Sequence, residues 1–239
     1  MIKRILIKIK SIIDPKPIYV TETIYSSYSQ AGEDAVLNFL ITDKKMNNIS
    51  YLDIGTNTPD FNNNTFLLYQ KGYRGVCVEA DKSIIPEIIS KRPNDKVINA
   101  GVAVSDLQEA DFFIFDNKGL NTFDKREAEK RQETGNFKLV EIAKVPLVSI
   151  NNIIKNNFNK YPDFLSIDIE GLDLEVLKSL DFDSFPIPII CVETCQFSEN
   201  HIRPKDLGIV DFVISKGYEV YADTYINTIF VNNNWFYSK

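Results

Sequence analysis

Apolar residues recur along this chain with two spacings, one helical and one strand-like. GEDAVLNFLIT (32–42) sets Ala35, Val36, Phe39 and Leu40 on one helical face behind an acidic first turn, which predicts an amphipathic helix. Short apolar runs then alternate with helical stretches. YLDIG (51–55), GVCVEA (75–80) and KVINAGVAVS (96–105) predict strands. Between them, NTFLLYQKG (64–72), closed by Gly72, and SIIPEIISK (83–91), with Pro86 tolerated near its start, predict helices. Strands that are continuously apolar and separated by helices belong to a parallel sheet buried on both faces.

The middle of the chain is less regular. DFFIFD (111–116) and LVEIAKVPLVS (139–149) predict strands on either side of a charged helix or loop at 124–134. The alternation then resumes with a helix at 149–158, the strand FLSID (164–168), a helix over Leu172–Leu180 and the strand IPIICVE (187–193). A helix at about 204–216 precedes YEVYADTYINTIFVN (218–232), read as two strands joined by a short turn. Strands that close in sequence must pair antiparallel. The predicted fold class is therefore α/β: a Rossmann-like sheet, mostly parallel, ending in an antiparallel C-terminal hairpin. No repeat or Pro/Gly linker divides the chain, so a single domain is expected over 25–239 behind an N-terminal extension, 1–24.

The composition narrows the classes. With 239 residues, 44% hydrophobic and 25% charged, the chain can build a full core without disulfide staples. A net charge of −6 makes nucleic acid an unexpected partner. Three cysteines, Cys77, Cys191 and Cys195, fall in apolar strands, which suits buried thiols and a reducing, cytoplasmic location. The single histidine, His201, excludes a zinc site built on several imidazoles. The first ten residues alternate Ile or Leu with Lys or Arg. They are too short and too charged to span a membrane, and read either as a solvated terminus or as a weak contact with an anionic membrane surface.

In such a sheet ligands bind beyond the carboxyl ends of the strands, near the point where strand order reverses. Polar residues follow four strands there: Asp53 to Asn57, Glu79, Ser105 with Asp106, and Asp168 to Gly171. The first loop, DIGTNTPDFNNNT, has one glycine where a dinucleotide fingerprint has three, so a ligand without a pyrophosphate is favoured. Glu79 stands where a carboxylate can accept two hydrogen bonds from a ribose diol, or can cap the next helix. On a strand, Ser166, Asp168 and Glu170 share one side, so Asp168 and Glu170 would converge at its tip. Paired carboxylates there can raise one pKa and serve as a base, hold a cation, or cap the following helix. Glu193 ends the next strand on the same edge, and His201 lies in the loop beyond it.

Together, YSQAGEDAVL (28–37), YLDIGTN (51–57), NNTFLLYQKGYRGVCVEAD (63–81), INAGVAVSD (98–106), FLSIDIEGLDLEVLKSLDF (164–182) and PIICVE (188–193) resemble, in this order, the FkbM-type S-adenosylmethionine-dependent methyltransferases. The resemblance covers about residues 25 to 235. It implies a class I methyltransferase fold, S-adenosylmethionine as methyl donor, and O-methylation of a sugar or related hydroxyl. By position it assigns Asp53, Gly55, Thr56 and Asn57 to the cofactor loop, Glu79 with Ala80 to the ribose, Ser105 and Asp106 to the segment beside the adenine, and Asp168, Glu170 and Gly171 to the family's D-x-E-G motif. Thr56 and Pro59 depart from the usual pattern, in which Ala and a nearby glycine are common. The base is then sought among Asp168, Glu170, Glu193 and His201, with Asp168 also bordering the cofactor. The expected partner is a sugar or glycan precursor, nucleotide-linked or lipid-linked, on the way to a surface polysaccharide. FDNKGLNTF (115–123) and TCQFSENHIRP (194–204) are candidate acceptor loops. No metal site is assigned. A divalent-cation enzyme using Asp168, Glu170 and Glu193, or an inactive cofactor-binding homologue, are the alternatives.

Overall fold

A computed structural model of the chain describes residues 27–195 and 204–238. The basic segment 1–10 and His201 lie outside the described residues. The described chain begins with α1 (Glu33–Asp43), β1 (Ser50–Ile54), α2 (Phe66–Gln70), β2 (Arg74–Glu79), α3 (Ile85–Lys91) and β3 (Lys96–Asn99). It continues with β4 (Gly101–Ala103), β5 (Glu109–Phe115), a 3-10 turn (Lys118–Leu120), α4 (Lys125–Glu133), β6 (Leu139–Ser149) and α5 (Ile150–Asn157). The last elements are β7 (Phe164–Ile167), α6 (Asp173–Ser179), β8 (Ile189–Glu193), α7 (Leu207–Ser215), β9 (Tyr218–Asp223), β10 (Asn227–Asn232) and α8 (Asn233–Phe236).

The described residues build a seven-stranded sheet in the order β3-β2-β1-β7-β8-β10-β9. β1 pairs parallel with both β2 and β7, while β10 pairs antiparallel with β8 and β9. The expected C-terminal hairpin is thus present, with its second strand inserted next to β8. The chain leaves β1 toward β2 and β3, then returns to lay β7 and β8 on the other side. Strand order reverses between β1 and β7, and the crevice at their carboxyl ends is where this topology places a ligand.

Side chains along each strand alternate between two cores. Leu52, Ile54, Val76, Val78, Leu165 and Ile167 pack against α5, α6 and α7. Tyr51, Phe164, Ile189, Cys191 and Ile229 face α1 and α2 on the other side. Each Ile, Leu, Val or Phe buried in this way contributes about 1.5–3 kcal/mol. Cys77 and Cys191 are buried in their strands, as the apolar runs predicted, and Cys195 is buried just beyond β8. Among the described residues no helix is long and apolar enough to cross a membrane.

The strand predicted over 96–105 divides. β3 runs parallel to β2 as far as Asn99, and from Gly101 the chain turns away into β4. β4 joins a three-stranded sheet of order β4-β6-β5, pairing parallel with Leu147–Ser149 of β6. Gly101 allows this departure: a Cβ there would lie 2.4 Å from the ring of Phe123, which packs on the bare backbone. β5 and β6 form a long antiparallel pair. The charged stretch at 124–134 is the helix α4, capped by Asp124, whose side chain accepts from the Arg126 amide.

Candidate active site

The loop after β1 is shaped by contact with the loop after β7. Gly55 has φ +81°, and a Cβ there would stand 1.9 Å from the carbonyl oxygen of Asp168. Only glycine meets both conditions. Asn57 and Asn62 also take left-handed backbone, φ 47° and 50°, a conformation Asn tolerates better than most residues. Beneath the loop, Asp53 Oδ2 accepts from Thr65 Oγ1 (2.7 Å), Asn63 Nδ2 (3.1 Å) and Arg92 Nη1 (3.4 Å).

Glu79 ends β2, 6% exposed. Its Oε2 accepts the Asn57 amide (2.8 Å) and its Oε1 the Asp81 amide (2.7 Å). Burial pushes its pKa up, and the amides of Asp81 and Asn57 pull the other way. A carboxylate has about four acceptor sites, so these amides do not exhaust its capacity to accept. Asp53, Gly55, Thr56, Asn57, Glu79, Ala80 and Asp168 all line one cavity of about 380 Å³. Ser105 and Asp106 do not line it. They stand exposed in the turn after β4, and that part of the wall is Ala100, Gly101 and Val102.

The rest of the wall escaped the strand-tip reasoning. Ile84, Phe112 and Phe123 make it apolar, the two rings 4.5 Å apart. The turn after β5 supplies Asn117 to Gly119 and Asn121, held over Glu79's side of the cavity by Asn121 Nδ2 to Asp81 Oδ2 (3.2 Å) and Lys118 Nζ to Ser83 Oγ (3.0 Å). The polar, aromatic stretch 115–123, expected as a candidate acceptor loop, thus contributes to the wall of the cavity that Glu79 lines. Asn64 and Ser166, also lining the cavity, are joined at 3.2 Å.

At the other end of the crevice, Asp168, Glu170 and Glu193 each offer an oxygen within 4.8 Å of the others, a spacing that suits a divalent cation. Asp168 and Glu193 meet because β7 and β8 are parallel neighbours. Glu170 arrives differently. β7 ends at Ile167, and Glu170 takes left-handed backbone (φ 59°) in the turn that follows, so strand alternation is not what brings it in. Thr122 Oγ1 donates to its carbonyl (2.9 Å), and Arg131 Nη2 pairs with its Oε2 at 2.7 Å. Nor does either acid cap α6, whose start has no side-chain cap. Asp173 serves that turn, accepting the Ile169 and Gly171 amides.

Burial, then repulsion from Glu170, holds the Asp168 carboxyl well above the usual range. Burial, then Asp168, does the same for Glu193. Two such carboxyls cannot both ionise cheaply, so the pair retains a proton at higher pH than either would alone. Glu193 lines a second cavity, with Arg131, Asp173 and Cys195. Glu170 and Leu172 border both cavities, so the carboxylates stand where the two meet.

A family model described as the Methyltransferase FkbM domain matches residues 53–220. Among solved structures, a TehB-like SAM-dependent methyltransferase from Corynebacterium glutamicum is similar, with 9% identity, TM-score 0.39 and 96% of each chain covered. No curated protein matches the chain.

Proposed function

Because the chain belongs to the FkbM methyltransferase family, and so to the S-adenosylmethionine-dependent methyltransferases, we propose that it methylates a hydroxyl of a sugar, a precursor of a surface polysaccharide, in the cytoplasm. The observation that carries this reading is the Asp168 and Glu193 pair, two carboxyls of raised proton affinity at the junction of two cavities. The family supplies the sugar class, and a net charge of −6 argues against nucleic acid. The basic segment 1–10 would add weak attraction to an anionic leaflet, about 1 kcal/mol per cation near the surface.

The first cavity suits S-adenosylmethionine. Glu79 keeps acceptor sites for a ribose diol, Asn57 Oδ1 is buried without a hydrogen-bond partner, and Gly101, Phe112 and Phe123 leave an apolar wall for a base. When bound, the cofactor supplies an activated methyl group on a sulfonium. The protein's own tasks are then to align an acceptor oxygen and to take its proton. A sugar hydroxyl is a poor nucleophile, and the ionised member of the Asp168 and Glu193 pair accepts the proton as the oxygen attacks. Arg131 holds the Glu170 carboxylate at the junction, where it can accept a hydrogen bond from a second hydroxyl of the sugar.

A second reading draws on the 4.8 Å cluster: a divalent cation held by Asp168, Glu170 and Glu193 would orient the acceptor. Chelation separates the two. Turnover lost in chelator and restored by Mg²⁺ favours the cation, and unchanged turnover favours the base. The sugar assignment is tested by deleting the gene and measuring methyl ethers of surface glycans by mass spectrometry. Their loss supports it, and an unchanged content with methylation lost elsewhere refutes it.

A further inference from the structure

Arg92, at the end of α3, is fully buried although it lines neither cavity. Its guanidinium is divided among four partners. Nε meets Asp95 Oδ2 at 2.9 Å, Nη2 meets Thr65 Oγ1 at 2.7 Å, and Nη1 reaches both Asn63 Oδ1 (3.3 Å) and Asp53 Oδ2 (3.4 Å). Tyr51 and Tyr69 offer their rings to it, 5.4 and 5.7 Å from the guanidinium carbon.

These partners form the underside of the cofactor loop. Asn63 Oδ1 also accepts the amides of Thr65 and Phe66 (3.0 and 2.9 Å), while its Nδ2 donates to the Thr56 carbonyl (3.2 Å) and to Asp53 Oδ2. Thr65 Oγ1 donates to Asp53 Oδ2. One side chain outside the loop thus joins its start, at Asp53, to its end, at Asn63 and Thr65. The donors to the Asp53 carboxylate converge on Oδ2, which leaves Oδ1 for a donor in the cavity that Asp53 lines. One buried cation, Arg92, stands between two buried carboxylates, Asp53 and Asp95. A buried ion pair is weak ground for stability, since a well-packed apolar replacement often serves as well. A planar fork that sets several groups at fixed angles has a use that an apolar side chain cannot supply.

We propose that Arg92 is a positioning residue for cofactor binding, holding Asp53 and the 55–65 loop in the shape that receives S-adenosylmethionine. The inference rests on the reading of the first cavity as the cofactor site. It also accounts for a loop with one glycine: shape that other loops take from small residues comes here from a buried network, with Asn57 and Asn62 supplying the left-handed turns.

The test is calorimetric titration of the full chain with S-adenosylhomocysteine, each variant measured well below its own melting temperature. Arg92→Met should raise Kd at least about tenfold, and Arg92→Lys, which keeps the charge and loses the fork, should recover part of the loss. Tyr51→Phe removes the 2.6 Å bond to Asp95 at the far end of the network. It should lower the melting temperature and leave Kd unchanged, which a purely stabilising role for the network would not separate. Should Arg92→Met fail to fold, Thr65→Val cuts the same link to Asp53 more gently and should also raise Kd. Unchanged Kd in the folded Arg92 and Thr65 variants overturns the proposal, as does an equal rise in Tyr51→Phe. A wild-type chain that does not bind S-adenosylhomocysteine refutes the cofactor reading itself and takes this proposal with it.

Discussion

Glu79 works on two sides of the cavity at once. It holds the amides of Asn57 and Asp81, and it lines the cavity in which we propose that the cofactor ribose sits. Glu79→Ala should therefore weaken S-adenosylhomocysteine binding by about 1.5–3 kcal/mol, or about 10- to 150-fold in Kd by calorimetry. Unchanged affinity in a folded variant would count against the ribose role. For the acid pair, Asp168→Asn and Glu193→Gln should cut turnover by about 10²- to 10⁴-fold if either carries the proton. The pair also predicts a pH dependence of stability. The folded pKa of Glu193 lies above its unfolded value of about 4.3, so its contribution is fully present below that value and is lost as pH rises through the folded pKa. Glu193→Gln removes this loss. Its melting temperature should exceed that of wild type at pH 8, with the gap closing toward pH 4; a gap independent of pH would contradict the raised pKa.

Between elements, the tightest constraint is the approach of the β1 and β7 loops. Gly55→Ala adds left-handed strain of about 1–2 kcal/mol and a collision with the Asp168 backbone that no rotamer relieves. Gly72→Ala, at φ +94° with open space around the new methyl, carries the strain alone. Urea midpoints should separate them, with Gly55→Ala losing at least about 2 kcal/mol more than Gly72→Ala; equal losses would mean that the loops move apart readily. The helices and strands themselves were largely legible, because each buries a periodic face. The division at Ala100 was not: 96–105 reads as one apolar run, and the contact made where it breaks, the Phe123 ring against Gly101, comes from more than twenty residues away.

Across the molecule, the second sheet closes one side of the crevice with the turn 117–121. Its small cluster of Phe113, Phe115, Leu120 and Ala128 buries far less than the cores of the main sheet. Hydrogen exchange should accordingly be slowest in β1, β2, β7 and β8 and faster in β5 and α4. S-adenosylhomocysteine should add protection at 55–58, 79–81 and 117–123, and none at 105–106. Protection at 105–106 without any at 117–123 would move the cofactor to the place the sequence alone suggested.

What the sequence by itself determined is what depends on neighbours along the chain. Alternation and spacing specify an α/β parallel sheet with a terminal hairpin, and the turn residues after each strand mark which edge carries Asp53, Glu79, Asp168 and Glu193. Only the tertiary structure decided what depends on distant partners. Arg92 follows directly on the helix predicted at 83–91, where nothing in the local pattern marks it, yet it sits under Asp53, 39 positions earlier. Glu170 looks like a strand-tip acid, yet a left-handed turn and Arg131 from α4 set its place. Periodicity records which face of an element is buried. It holds no record of which side chain from elsewhere will meet that face, and the shape of the loop after β1 and the meeting of the acids rest on those encounters.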